Sequence, residues 1–148
     1  MSEQILVPVD GSEPAFRALK VACMLARAQN QNIRLLHVVP NKEVPAGLKR
    51  YAEVEHMRNP PEYLYETAIA ENVLNAARDQ ALADDAPNVE CSVEHGDATK
   101  GILAVAGREG VDTIVMGTRG LSDFKGMVLG SVAHKVAHGA DCEVIVVK

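Results

Sequence analysis

Short apolar runs alternate with amphipathic stretches along this chain of 148 residues. Five runs rich in β-branched residues predict strands, at residues 5–9, 33–39, 89–93, 111–116 and 144–147. The last two runs are almost continuously apolar, which is typical of strands that are covered on both faces. Such strands indicate a parallel sheet.

The stretches between the runs predict four helices, at residues 15–28, 61–83, 98–108 and from Gly130 or Ser131 to His138, with Gly139 as the stop. Ser12 and Asp97 are placed to cap the first and third helices. In the second helix an apolar residue recurs every four positions, at Tyr65, Ile69, Val73 and Ala77. The alternation predicts one α/β domain over residues 1–148, a Rossmann-like open parallel sheet with helices on both faces. Residues 40–60 are expected to form a long mobile loop.

Composition and charge exclude several classes of function. The formal net charge of -5 argues against a nucleic-acid partner, because phosphate backbones are held by basic patches. No apolar run approaches the roughly 20 residues that cross a bilayer, and residues 1–10 lack a secretory signal. The three cysteines show no CxxC spacing, which favours reduced thiols over disulfides or structural zinc. We therefore expect a cytoplasmic protein that contacts neither membrane nor nucleic acid.

The segment between the fourth strand and the last helix carries the candidate chemistry. Glycines at 117, 120 and 130 would let a ligand approach the backbone, and Ser131 adds a hydroxyl group. Ligands of open α/β sheets bind beyond the carboxyl ends of the strands, and a helix start suits phosphate. The segment matches neither a Walker A loop nor a GxGxxG fingerprint. The glycines alone leave two alternatives, a phosphate-binding loop or a long turn.

The spacing G-x2-G-x9-G-[ST], formed here by Gly117, Gly120, Gly130 and Ser131, resembles the ATP-binding branch of the universal stress protein family. The opening run at 5–12, the strand at 35–39 and the ending at 142–147 resemble that family as well, so the likeness spans nearly the whole chain. It implies five strands in the order 3-2-1-4-5. It also implies ATP, or else AMP or ADP, with Mg²⁺ or Mn²⁺ bound through the phosphates. The family commonly has proline where this chain has Glu143.

The resemblance places the nucleotide where the strand order reverses, between the first and fourth strands. It assigns the adenosine side to Pro8, Asp10, Val38 and Met116. It assigns the ribose and phosphates to Gly117, Gly120, Gly130, Ser131 and Val132. Asp10 has an alternative role, which is to cap the turn before the first helix.

Other residues with chemical potential have simpler interpretations. His134 and His138 lie four apart, but no third metal ligand is evident, and a solvated helix face is the expectation. His37 is expected to be a satisfied core residue, and the thiols to be buried and inert.

Three functions remain open: a nucleotide-dependent regulatory or stress-response module, a slow ATP hydrolase, and a nucleotide-free interaction protein. No nucleophilic side chain can be matched with a general base, so we expect no catalytic residues and at most weak hydrolysis of ATP. The apolar last strand also predicts a homodimer, because it would lie at an edge of the sheet with little protection.

Overall fold

The computed structural model describes residues 4–40, 61–120 and 129–148. The expected loop at 40–60 therefore lies almost wholly outside the described residues, as does the middle of the glycine motif at 121–128. Within these ranges the elements are β1 (Gln4–Pro8), α1 (Glu13–Gln29), β2 (Asn32–Val39), α2 (Pro61–Ala83), β3 (Val89–His95), α3 (Ala98–Arg108), β4 (Thr113–Gly117), α4 (Ser131–Gly139) and β5 (Glu143–Val147).

The five strands form one sheet in the order β3-β2-β1-β4-β5, and every neighbouring pair is parallel. The fold class and the strand order are thus confirmed. β1 occupies the centre, and its residues Ile5, Leu6 and Val7 are each 0% exposed. A strand without exposed side chains on either face needs helices on both sides, as the apolar runs predicted.

Each face of the sheet has its own core. On one face, Ile5 and Val7 pack with the aliphatic side chains of α1 and α2. On the other, Leu6 and Leu36 pack with those of α3 and α4. Successive residues of a strand point to opposite faces, so β1 supplies both cores from adjacent positions.

The ends of the helices follow from local sequence. The Ser12 hydroxyl accepts from the Ala15 N–H at 3.4 Å, and the Asp97 carboxylate accepts from the Lys100 N–H at 3.0 Å. Both predicted N-caps are confirmed. Gly110, with φ 62°, ends α3 in the left-handed conformation that glycine adopts most easily. Gly139 was expected to stop α4, but it is the last residue of that helix, and Ala140 is the C-cap.

The buried face of α2 agrees with the expectation only in part. Among its described side chains, at 66–83, the buried residues are Ala70, Leu74, Ala77 and Ala81. Ala77 is thus buried as expected and Val73 is partly buried against the first core, whereas Ile69 is 38% exposed and Tyr65 lies outside the described side chains. A strict spacing of four residues turns about 40° around the helix at each step, so the stripe does not stay on the face that meets the sheet. No helix in the described ranges combines the length and the hydrophobicity that a membrane span requires.

Shortening a leucine tests how far the second core stabilises the fold. Leu36 is 0% exposed in β2, whereas Leu82 on α2 is 54% exposed, so the same truncation has different consequences. We expect Leu36→Ala to lower the free energy of unfolding by about 2–5 kcal/mol. Leu82→Ala should change it by less than about 0.5 kcal/mol. Urea unfolding followed by circular dichroism measures both, and equal losses would contradict this placement of the core.

Candidate functional site at the carboxyl ends of β1 and β4

β1 and β4 lie side by side, but the helices that follow them pack on opposite faces. After β1 the chain enters α1, which belongs to the first core. After β4 it leads to α4, which belongs to the second. The two connections therefore diverge at the carboxyl ends of the strands, which is where open α/β sheets bind ligands.

The turn after β1 is held by its own side chains. The Oδ1 atom of Asp10 accepts from the Ser12 N–H at 2.9 Å, and Gly11 between them has φ +87°. A left-handed residue at this position favours glycine. The capping role of Asp10 is therefore observed.

Gly117, the last residue of β4, allows the first turn of α1 to approach closely. A Cβ atom at this position would lie 2.7 Å from the Pro14 Cβ and 2.8 Å from the Pro14 carbonyl carbon. The backbone of Gly117 does not have a positive φ, so the position requires space and not a special conformation. The sequence pattern indicated ligand access or a long turn at this glycine and gave no sign of the contact with Pro14.

Thr118 closes the base of the glycine motif through its backbone. Its N–H donates to the Val147 carbonyl at 2.9 Å, and its carbonyl accepts from the Gly130 N–H at 2.5 Å. One residue thereby joins the end of β5, the end of β4 and the start of α4. The two described ends of the motif are thus joined by hydrogen bonds, and the glycine pattern gave no sign of this role of Thr118.

The start of α4 offers donors to a ligand. Gly130 is the N-cap with φ -69° and ψ 161°, and it has no side chain with which to cap the helix. Any residue adopts these dihedrals, so its backbone is unstrained. The first helical hydrogen bond runs from the His134 N–H to the Gly130 carbonyl at 3.0 Å. The N–H groups of Ser131, Val132 and Ala133 therefore have no acceptor within the helix, and they lie at the positive end of its dipole.

The other assigned residues lie at the same edge of the sheet but differ in burial. Pro8 and Asp10 are partly buried at the end of β1. Val38 is partly buried on β2 and packs toward α3, since a Cβ at Gly101 would lie 3.2 Å from its Cγ2 atom. Met116 is only 6% exposed and belongs to the second core. Little of its side chain remains for contact with a ligand.

A second concavity lies at the opposite end of the sheet. This groove of about 560 Å³ is lined by Asp112, Asp141 and Glu143, together with Gln29, Gln31, Val111, Thr113 and Cys142. Its three carboxylates repel phosphate groups at neutral pH. The carboxyl edge, where Gly120 and Arg119 of the motif are partly buried, is the better candidate for an anionic ligand.

Comparison with known proteins identifies the family. The sequence profile described as "Universal stress protein family" matches residues 1–148. This chain belongs to the universal stress protein family. A relative, universal stress protein YxiE of Bacillus subtilis, is 31% identical over 154 aligned residues, with 100% of both chains covered.

Solved structures of the family share the fold. Universal stress protein UspA from Lactobacillus plantarum superimposes with a TM-score of 0.81 at 26% identity, covering 98% of this chain and 97% of its own. The Archaeoglobus fulgidus universal stress protein in complex with dAMP gives a TM-score of 0.72 at 25% identity, with 98% and 97% covered. A universal stress protein in complex with cAMP gives 0.71 at 25% identity, with 97% and 94% covered. Both complexes contain an adenine nucleotide.

The remaining chemical groups of this universal stress protein are mainly structural. The Nδ1 atom of His37, which is 8% exposed, lies 2.9 Å from the Val9 carbonyl oxygen, so the expected satisfied core histidine is confirmed. Burial raises the pKa of the Cys23 thiol to about 11, with a smaller contribution from the charge of Asp84. The expectation that every thiol is buried was wrong for Cys91, which is exposed at an edge strand, and Cys142 is only partly buried.

The contact between Gly117 and Pro14 can be tested by adding one methyl group. Gly117→Ala places a Cβ within 2.9 Å of the Pro14 backbone, so α1 must shift. We expect the free energy of unfolding to fall by about 1–3 kcal/mol. Gly107→Ala on α3 is the matched control, because its Cβ meets nothing within 4 Å. Alanine should stabilise that helix by about 0.5–1 kcal/mol, and a loss no larger at 117 than at 107 would refute the close contact.

Proposed function

We propose that this universal stress protein binds ATP at the carboxyl ends of β1 and β4 and acts as a nucleotide-dependent regulatory module. The observation that carries the proposal is the fixed start of α4. Its first-turn N–H groups, beside a glycine N-cap, are anchored to the sheet by the hydrogen bond from Gly130 to Thr118. Such a helix start binds phosphate through backbone donors and the helix dipole.

The family and the motif both support the proposed nucleotide. Relatives of the same fold are found in complex with dAMP and cAMP, which supports an adenine base. The full spacing of Gly117, Gly120, Gly130 and Ser131 supports a triphosphate, since it resembles the ATP-binding branch. Pro8, Asp10, Val38 and Met116 are proposed for the adenosine side. The motif glycines with Ser131 and Val132 are proposed for the ribose and phosphates.

A bound Mg²⁺ or Mn²⁺ would rely on the nucleotide and water for most of its ligands. The described residues contain no group of three or more His, Cys, Asp or Glu side chains able to hold a metal ion. Mg²⁺ usually keeps several waters and binds through substrate phosphates, which fits a site with few carboxylates. Backbone amides stabilise phosphate charge without activating water, so the site favours retention of ATP over rapid turnover.

Substitution of Gly130 tests the proposed phosphate site. A valine side chain at the N-cap would occupy the space in front of the first-turn N–H groups, so Gly130→Val should abolish ATP binding measured by calorimetry. Gly107→Val, at an exposed position on α3, is the matched control and should bind like the wild type. Ser131→Ala should cost about 1 kcal/mol, the net contribution of one hydrogen bond. Unchanged ATP affinity in a folded Gly130→Val variant would overturn the site, and competition with AMP and cAMP ranks the ligands.

A homodimer through β5 is the second part of the proposal. In the described sheet β5 pairs only with β4, and Val144 to Val147 are each partly exposed. The Thr118 N–H bonds the Val147 carbonyl, so the peptide groups of Val147 point toward β4. Because the direction of these groups alternates along a strand, the N–H and C=O groups of Ile145 also point toward β4. Those of Val144 and Val146 point away from the sheet. Antiparallel pairing with a second copy would satisfy those outward groups.

This alternation selects the variant that tests the dimer. Val146→Pro removes an outward N–H while leaving the bonds to β4 intact, so it should shift the protein toward monomer. Ile145→Pro is the contrasting variant, because it removes an N–H that bonds β4 and should destabilise the fold itself. Light scattering coupled to size-exclusion chromatography measures the mass. A wild-type mass near 15.9 kDa at micromolar concentration, instead of twice that value, would contradict the dimer.

A further inference from the structure

Two histidines of α4 share one exposed face of the helix. His134 and His138 are both exposed, and their ring centroids lie 6.4 Å apart with an angle of 14° between the planes. Residues four apart on a helix are neighbours on its surface. Lys135 lies about 100° around the helix from His134, so its ammonium group is not fixed between the two rings.

The pair is free to reorient as a chelating ligand requires. No hydrogen bond or ion pair within the described ranges holds either ring. The planes are nearly parallel in the structure, and a metal ion must lie close to the plane of each imidazole that binds it. One ring must therefore turn, and exposed side chains change rotamer within nanoseconds. No buried contact is lost by this rotation.

We propose that His134 and His138 form a two-imidazole site for a divalent transition-metal ion such as Ni²⁺, Cu²⁺ or Zn²⁺. Imidazole nitrogen suits these ions, whereas Mg²⁺ and Ca²⁺ prefer oxygen ligands. Water completes the coordination shell, since no third side-chain ligand joins the pair among the described residues. The site lies on the outer face of α4 and differs from the proposed nucleotide site at its amino end.

The second imidazole should strengthen binding through its local concentration. Once one ring holds the ion, the other is one helical turn away, and its binding becomes intramolecular. Loss of either ring should therefore weaken the affinity by at least about tenfold. A bound ion also joins two turns of a helix of only 9 residues, so it should raise the melting temperature of the protein.

Titration of the full chain with Ni²⁺ by calorimetry tests the site. The wild type should bind one ion per chain, and His134→Ala and His138→Ala should each lose at least tenfold in affinity and the Ni²⁺-induced rise in melting temperature. His95→Ala is the matched control, since His95 is an exposed histidine outside the pair. Cys91→Ser tests the exposed thiol as an alternative ligand. Both controls should bind Ni²⁺ like the wild type.

Two results would overturn the proposal. One is wild-type affinity in both variants of the pair, and the other is loss of binding in a control. His138→Gln keeps the length and polarity of the side chain without an imidazole, and it should fail like His138→Ala if coordination is the cause. ATP titration of the same variants separates this site from the proposed function. Each variant should bind ATP with the affinity of the wild type, even where its Ni²⁺ binding is lost.

Discussion

The central position of β1 is the constraint on which the rest of the structure depends. Helices cover both of its faces, and it pairs with β2 along one edge and with β4 along the other. The chain extends the sheet first to one side through β2 and β3, and then returns to the other through β4 and β5. The reversal places the ends of β1 and β4 together with diverging connections. The candidate site is thus a consequence of the topology, and its residues supply the chemistry.

Two close contacts position the backbone of the candidate site. The bare Cα of Gly117 admits the first turn of α1, and the peptide groups of Thr118 connect the end of β5 with the start of α4. Both contacts act through the backbone, so they orient the loop without specifying most of its side chains.

The sequence predicted the elements well because their signals are local. Caps such as Ser12 and Asp97, and the αL residue Gly110, bond to groups within a few positions along the chain. Features that depend on distant contacts could not be predicted in this way. The buried face of α2 is chosen by the surface of the sheet, and the role of Gly117 depends on Pro14, about a hundred positions earlier. The direction of the Ile145 peptide group likewise becomes known only from its register with β4.

The two edges of the sheet are protected to different degrees, and the difference matters for assembly. At the β3 edge, Arg34 pairs with Glu90 at 2.6 Å, and Arg108 pairs with Glu94 at 2.7 Å. Charged side chains therefore lie along this edge strand. β5 has only apolar residues from 144 to 147. It therefore lacks the charged side chains that discourage an edge strand from pairing with another chain. Thr118 bonds both this strand and the start of α4. Under the proposed function, a nucleotide bound at the start of α4 is therefore connected through Thr118 to the end of the strand that a second copy would meet. Any effect of nucleotide binding on self-association would be reciprocal, because thermodynamic linkage changes both affinities by the same factor.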